Sequence, residues 1–308
     1  MLVQHAMTEE NAMSWGALPP GPMLRCHLRV QPLRPLANID YPGSMLRGAF
    51  GHALRRLACR CGTERHADDC VYARIFEPEG LGGHCGKNRV SPPFVITPPF
   101  TRASEREGFD FSMTLMGAAR EHFHWVAEAW ELAGQTGLGA GKVKCLVLFE
   151  GMEQNPERVL PARWLELHTT SPLFLKKQGH CMPPESLELS DVLAALQRRL
   201  EITSRLYLTP PTLPDWDAWH QACARLEMET LLRVARYQRY SNRQKQYVPV
   251  EGLQGAIRIS GLIPDTLLNA FALGQWLHIG GKTSLGMGAY RVHTPHHLRS
   301  ALTPCVFP

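Results

Sequence analysis

Along this chain the apolar positions switch between a period of two, which suits a half-buried strand, and a period of 3.6, which suits an amphipathic helix. Met23–Val30 alternates and predicts a strand. Ser44–Ala58 follows with Leu46, Phe50, Ala53 and Leu57 on one stripe, as in a helix with one face toward a core. Phe94–Thr97 and Phe109–Leu115 predict two more strands, Ala118–Ala133 a second helix, and Lys142–Phe149 a closing strand. The order then recurs. Arg163–His168 predicts a strand, and Ser190–Leu206 a helix with Ser190 as its N-cap. Leu231–Gln238 and Leu253–Ser260 predict strands, Pro264–Leu277 a helix with proline at its first position, and Gly288–Val292 the last strand. Asp215–Met228 predicts an extra helix ahead of the second strand of this unit.

Two consecutive β-α-β-β-α-β units predict an α+β protein of two tandem ferredoxin-like domains, a fold shared with RNA-recognition modules. Polar residues and proline cluster between Glu150 and Pro161, which places the boundary there. The expected plan is an arm over 1–22, an N-terminal domain over 23–158 with an insert at 59–92, a C-terminal domain over 159–293, and a tail over 294–308. With 308 residues, 44% hydrophobic and 20% charged, the chain can bury two cores and is not of the disordered class. Its apolar runs fall short of the roughly 20 residues that span a bilayer. Met1–Pro22, with Glu9 and Glu10, lacks the basic-then-apolar order of a secretory signal. Nine cysteines without such a signal fit a reducing cytoplasm. A formal charge of +5, with fourteen histidines besides, is compatible with a polyanionic partner.

The turn after the last helix of the second unit holds Gly280, Gly281, Gly286 and Gly288, with His278, Lys282 and Thr283 among them. Glycine permits positive φ and leaves N–H groups uncovered, so such a turn can cradle an anion with Lys282 adding charge. A connection shaped only by packing fits the same spacing. It is not a phosphate-binding loop of the Walker type, because the upstream glycine spacing is missing and a helix, not a strand, precedes it. Gly134, Gly137, Gly139 and Gly141, followed by Lys142 and Lys144, stand at the matching place in the first unit.

The stretch from Gly280 to Gly288 resembles the glycine-rich loop of the RAMP superfamily, and above all of its CRISPR repeat-processing endoribonucleases. Three more stretches share that resemblance: Tyr240-Ser241-Asn242-Arg243-Gln244 running into Pro249–Gly255, Thr170–Lys176, and Leu46–Leu54. All four stand in the family's order and span most of the chain. The resemblance implies a metal-independent endoribonuclease that binds CRISPR repeat RNA and matures precursor RNA into guide RNA. The 2′-hydroxyl would attack its own phosphate, leaving a 2′,3′-cyclic phosphate and a 5′-hydroxyl. It also implies an active histidine on the first helix, or, as in type IV members, arginines in its place. A non-catalytic RAMP subunit that holds guide RNA as scaffold in an effector complex would look the same. So, more distantly, would a generic two-domain protein whose cysteine insert is the functional site.

Between Leu231 and Val248 lie Arg233, Arg236, Arg239, Arg243 and Lys245, interleaved with Tyr237, Tyr240 and Tyr247 and with no acidic residue. Arginine pairs with phosphate and tyrosine stacks on unpaired bases, although a charge run is also what a solvated face looks like. Lys176 and Lys177 extend the basic surface. For chemistry, His52 is the leading candidate, since imidazole titrates near neutrality and the wheel groups His52 with Gly48 and Arg55 away from the apolar stripe. It is equally readable as a surface histidine. Arg55 or Arg56 could bind the scissile phosphate; in the arginine-based variant that the resemblance implies, Arg25, Arg47, Arg239 and Arg243 carry the electrostatic role, while His278 is a second histidine and Tyr41 a helper. Asp68-Asp69 and Glu77/Glu79 are isolated pairs, not a two-metal cluster. Finally, Cys59, Cys61, His66, Cys70, His84 and Cys85 lie in the insert, and Cys59, Cys61, His66 and Cys70 could hold a structural zinc. Their spacing is not a standard one, and unligated cysteines fit as well.

Overall fold

The structure is a computed structural model that describes residues 23–36, 40–62, 66–78, 91–99, 108–157, 159–177, 180–207, 215–241 and 246–295. The expected arm, nearly all of the tail, and His84 and Cys85 lie outside these residues.

In the first unit β1 (Met23–Pro32) leads to α1 (Pro42–Ala58), a short α2 (Val71–Phe76), β2 (Phe94–Thr97), β3 (Phe109–Met116), α3 (Phe123–Thr136) and β4 (Cys145–Gln154). The sheet runs β2-β3-β1-β4, and every pairing is antiparallel. In the second unit β5 (Trp164–Thr169) is followed by the two-residue strands β6 (Lys176–Lys177) and β7 (His180–Cys181), then α4 (Leu189–Tyr207) and α5 (Trp216–Cys223). β8 (Glu227–Ser241), β9 (Gln246–Ser260), α6 (Asp265–Leu277) and β10 (Tyr290–His293) complete it. Its sheet runs β10-β5-β9-β8. Ignoring β6 and β7, both sheets place their strands in the order fourth, first, third, second: the ferredoxin-like arrangement, twice.

Several boundaries differ from the sequence expectation for local reasons. Leu189, not Ser190, opens α4, and the Glu188 amide donates to the Asp191 carboxylate at 3.0 Å, so Ser190 sits in the first turn instead of capping it. Pro264 is the N-cap of α6 and not its first helical residue. A 3₁₀ segment, Gly117–His122, precedes α3, entered through Gly117 at φ +56°. β4 continues to Gln154, so the link between domains starts later than expected. β8 and β9 are far longer than their apolar alternation suggested. They pair without interruption from Glu227↔Ser260 to Ser241↔Gln246, whereas β5 pairs only with Ala256–Ser260 of β9. The rest of the hairpin reaches past β5, sustained by its own hydrogen bonds and by the buried Val250 and Leu253.

The period-two pattern of β1 decides how the domains meet. Cys26, Leu28 and Val30 face α1 and α3, in a core where Phe50 stacks on Trp130 at 5.2 Å and meets Phe94 edge-on at 5.5 Å. On the opposite face Met23 and Arg25 point at the second domain. Met23, Val95 and Met116 belong to the second domain's core, together with Leu267, Phe271 and Trp276 of α6. On that face Arg25 donates to the Gln275 carbonyl at 2.8 Å and lies over the Trp276 ring at 4.7 Å. Arg199, fully enclosed on α4, donates to the Leu277 carbonyl at 2.9 Å and to Ser91 at 3.0 Å.

The two domains also approach closely at Gly43, in the first turn of α1. A Cβ there would stand 2.2 Å from the Leu285 carbonyl oxygen. Helix propensity alone favours Gly43→Ala by up to about 1 kcal/mol, but the clash is with backbone and should cost about 1–3 kcal/mol. The variant is therefore expected to unfold at lower guanidinium concentration than wild type; a midpoint equal to or above it would show that the contact is loose.

Candidate nucleic-acid interface and active site

The glycine-rich turn is held from three sides. Gly281 N–H donates to the Phe174 carbonyl, Gly288 N–H to Pro172 and Gly286 N–H to Thr283, each at 2.9 Å, while Ile279 N–H reaches Gly288 at 3.0 Å. His278, Gly280, Lys282, Gly286 and Gly288 all have positive φ. A side chain at Gly280 would meet the Phe174 carbonyl, one at Gly286 the Ile96 carbonyl and Pro98, and one at Gly288 the Ile279 carbonyl. The glycines thus let three backbones close on one another, and the amides of Gly281, Gly286 and Gly288 are used inside the protein. The expected anion cradle is corrected to that extent: these glycines build the junction, and the charge comes from Lys282.

His278 is corrected too. It is fully buried, with Nδ1 donating to the Met287 carbonyl at 3.0 Å and Nε2 accepting from the Thr97 hydroxyl of the first domain at 2.9 Å. A carbonyl only accepts, so the Nδ1–H tautomer is assigned by its partner. Burial holds the imidazole down at about 3, and Arg25 and Arg199 add to the effect. It cannot touch RNA.

Lys282 remains exposed, its ammonium 3.9 Å from the centre of the Phe174 ring. Partial burial, with Arg239 and Lys176 nearby, lowers its pKa from the ordinary lysine value. Arg239 and Lys176 thus come near Lys282, with Glu251 and Cys181 also close, although 106 residues separate Lys176 from Lys282 in sequence. Tyr237 shares the Arg239 face of β8, packs with Phe174 against Val250 and Met287, and donates to Gln254 at 2.8 Å. Thr283, expected at the RNA surface, is buried. Arg236 pairs with Glu251 at 3.1 Å on the solvated side of the hairpin, a contact of small energetic weight. Arg233 is exposed farther down β8. Arg243 and Lys245 lie outside the described residues.

On α1, His52 and Arg55 are exposed, as the wheel placed them. His52 stands nine residues, about 13 Å of helix rise, beyond the Gly43 contact with the glycine-rich turn. It therefore does not share the Lys282 cluster. Arg47 lies over the Phe76 ring at 4.3 Å and Arg55 over Tyr72 at 5.7 Å, both on α2. Tyr41 is corrected as a helper. It is buried between α1 and β8, 5.8 Å from the Tyr237 ring, and burial pushes its hydroxyl pKa up, so the group cannot exchange protons with RNA. Arg25, half-buried at the domain junction and lowered to about 10 chiefly by desolvation, is likewise structural.

Cys59, Cys61, His66 and Cys70 come together as the sequence suggested: their ligand atoms all lie within 4.8 Å of one another. Hydrogen bonds from the Ala67 amide and His66 lower the exposed Cys61 thiol to about 7, while burial raises Cys70.

Residues 167–290 match the family model described as CRISPR-associated endoribonuclease Cas6, and residues 18–162 match a second model described as an N-terminal domain. The second domain is thus similar to the CRISPR-associated endoribonuclease Cas6. Solved structures with the same fold include a Cas6 product complex, at 17% identity and TM-score 0.56, with 88% of this chain and 100% of that chain covered. A second Cas6 product complex matches at 21% identity and TM-score 0.53, again over 88% and 100%. A RAMP protein binding different RNA substrates matches at 13% and 0.50, over 88% and 99%. No curated protein matches the chain in sequence. Among the described residues no helix is long and apolar enough to cross a membrane.

Sequence reasoning missed a second polar surface. Glu166 and His168 of β5, Arg291 and His293 of β10, and Arg258 of β9 share one face of the second sheet, with the His168 and His293 rings 4.6 Å apart. His27 of β1 lies 3.0 Å from Glu153 and 3.3 Å from Ser112 on the first sheet. The signal was present in the alternation of Arg25, His27 and Arg29 in β1, which is the same period that marked the strand.

The buried His278 makes stability pH-dependent. Its folded pKa is depressed below that of the unfolded chain, so the unfolded state takes up the proton first. The contribution is complete above about pH 6.5 and is lost by up to about 1.4 kcal/mol per pH unit as pH falls from there toward 3. Denaturant unfolding between pH 7.5 and 5 should show a steeper loss in wild type than in His278→Asn; parallel slopes would mean that the ring accepts a proton in place.

Proposed function

We propose that this chain binds CRISPR repeat RNA and cleaves it, maturing precursor RNA into guide RNA. The observation that carries this reading is the convergence of Lys176, Arg239 and Lys282 beside the Phe174 and Tyr237 rings, on a domain similar to Cas6. Cations set among aromatic rings suit a single strand or a loop, where phosphates pair with charge and unstacked bases lie on rings. Solved Cas6 proteins of this fold are product complexes, and a RAMP protein of this fold binds different RNA substrates.

In this reading the nucleophile is the RNA's own 2′-hydroxyl, so the chemistry requires proton transfer and stabilisation of a phosphorane, and no catalytic metal. His52 exchanges the proton. Arg55, three residues on along α1, meets the phosphate with the outer edge of its guanidinium while its flat face rests on Tyr72. Arg47 contributes charge from its place over Phe76. The products are a 2′,3′-cyclic phosphate and a 5′-hydroxyl. Any metal at the cysteine–histidine cluster serves the fold, not the reaction. The partners are the repeat stem-loop and, after cleavage, other CRISPR effector subunits. One observation favours a second reading, a guide-RNA scaffold without cleavage: Tyr41 and His278 are buried, which leaves His52 as the one accessible group among the proposed proton carriers.

The deciding experiment is cleavage of a labelled host repeat in EDTA, wild type against His52→Ala. A loss of about 10²–10⁴-fold with unchanged affinity is expected. Undiminished cutting by the variant would remove His52 from the mechanism, and tight binding without cutting of any host repeat would favour the scaffold. Separately, Lys282→Ala and Arg239→Ala should each weaken binding and reduce the logarithmic salt slope by about 0.7–0.9. Unaltered salt dependence would place the RNA elsewhere.

A further inference from the structure

We infer that Cys59, Cys61, His66 and Cys70 form a closed four-ligand zinc site that clasps the end of α1 to the start of α2. The His66 Nδ1 atom lies 3.5 Å from the Cys59 sulfur and 3.7 Å from the Cys70 sulfur. With zinc–sulfur and zinc–nitrogen bonds of about 2.3 and 2.1 Å, the sulfur-to-nitrogen edge of a tetrahedron is about 3.6 Å. Three thiols and one imidazole, with no carboxylate among them, are the donors that zinc takes and that magnesium and calcium do not. Four protein ligands leave no open position, which marks a structural site and not a hydrolytic one.

The surroundings orient these ligands. The other ring nitrogen of His66 stands 3.9 Å from the Glu77 carboxylate, the kind of outer partner that turns a ligating imidazole toward its metal. The Ala67 amide donates to the Cys61 sulfur at 3.4 Å. The His66 side chain is 5% exposed, enclosed by the thiols on one side and the Tyr72 ring, 5.3 Å away, on the other. Among the described residues, Cys26, Cys145, Cys181 and Cys223 stand in no such group.

The topology gives the site its use. Cys59 is the C-cap of α1 and Cys70 the N-cap of α2. A six-residue helix does not persist alone in water, since too few hydrogen bonds follow its nucleation. Fixed at its start, α2 lays Phe76 against Gly51, where a Cβ would stand 2.2 Å from the ring, and stacks Tyr72 on Phe76 at 5.6 Å. These two rings are the platform under Arg47 and Arg55. Zinc therefore orders the surface that displays those arginines without touching substrate.

This inference rests on the insert's geometry and stands or falls independently of RNA cleavage. The test uses the full chain purified without chelator, with metal content read by plasma emission and cobalt substitution read by absorption. About one zinc per chain is expected, together with thiolate-to-cobalt charge-transfer bands and the visible bands of tetrahedral cobalt. Cys59→Ser and Cys70→Ser should lose most of the metal and Cys181→Ser should keep it. If the ligand variants fail to fold, wild type still decides, because chelation should lower its melting temperature and restored zinc should recover it. Wild-type protein that retains no zinc and takes up no cobalt, an iron chromophore instead, or a disulfide among these cysteines would each overturn the assignment.

Discussion

A neutral imidazole sealed between two sheets is the contact on which the rest of this structure depends. His278 hydrogen-bonds the glycine-rich turn of its own domain through one nitrogen and the Thr97 hydroxyl of the other domain through the second. In the uncharged form the proton sits on Nδ1, facing a carbonyl that can only accept, and burial beside Arg25 and Arg199 disfavours the charged ring. Among the described residues, the charged groups that act on the ring are the cations Arg25 and Arg199. The junction is consequently held by directional polar contacts at its centre, with Met23, Val95 and Met116 sealing its apolar margin.

That junction explains why the glycines are needed. Gly43 and Gly286 admit the neighbouring domain's backbone or proline ring, and Gly280 and Gly288 admit carbonyls of their own domain. With four chain segments converging, the turn has few amides left for a ligand. Recognition of a polyanion passes instead to side chains around its rim. Lys282 projects from a left-handed residue of the turn, Lys176 from the strand that follows the Phe174 contact, and Arg239 from the hairpin. A structural device thereby gathers a basic cluster from three distant parts of the chain.

The first helix serves two neighbours. Its start abuts the turn and β8; its end meets α2 through Arg47, Gly51 and Arg55. His52, exposed on the outer side, is separated from the Lys282 cluster by more than two turns of helix. An RNA engaging both would have to run along α1, which suits a substrate with extended and paired parts and not a small ligand.

What the sequence determined by itself was the alternation of periods. That is a local property, because a strand or helix with one buried face must repeat its apolar residues at the spacing of its own backbone. The doubled order of elements, the β1 face carrying Arg25, His27 and Arg29, and the grouping of Cys59, Cys61, His66 and Cys70 within a dozen residues were all legible for that reason. Tertiary structure alone decided burial and company. Nothing local distinguishes His278, sealed at a junction, from His52, open to solvent, since each is a histidine on or beside a helix. Nor does spacing tell a glycine that cradles an anion from one that admits a carbonyl. Those outcomes depend on which distant segments arrive, and 181 residues of chain separate His278 from the Thr97 hydroxyl that fixes its role.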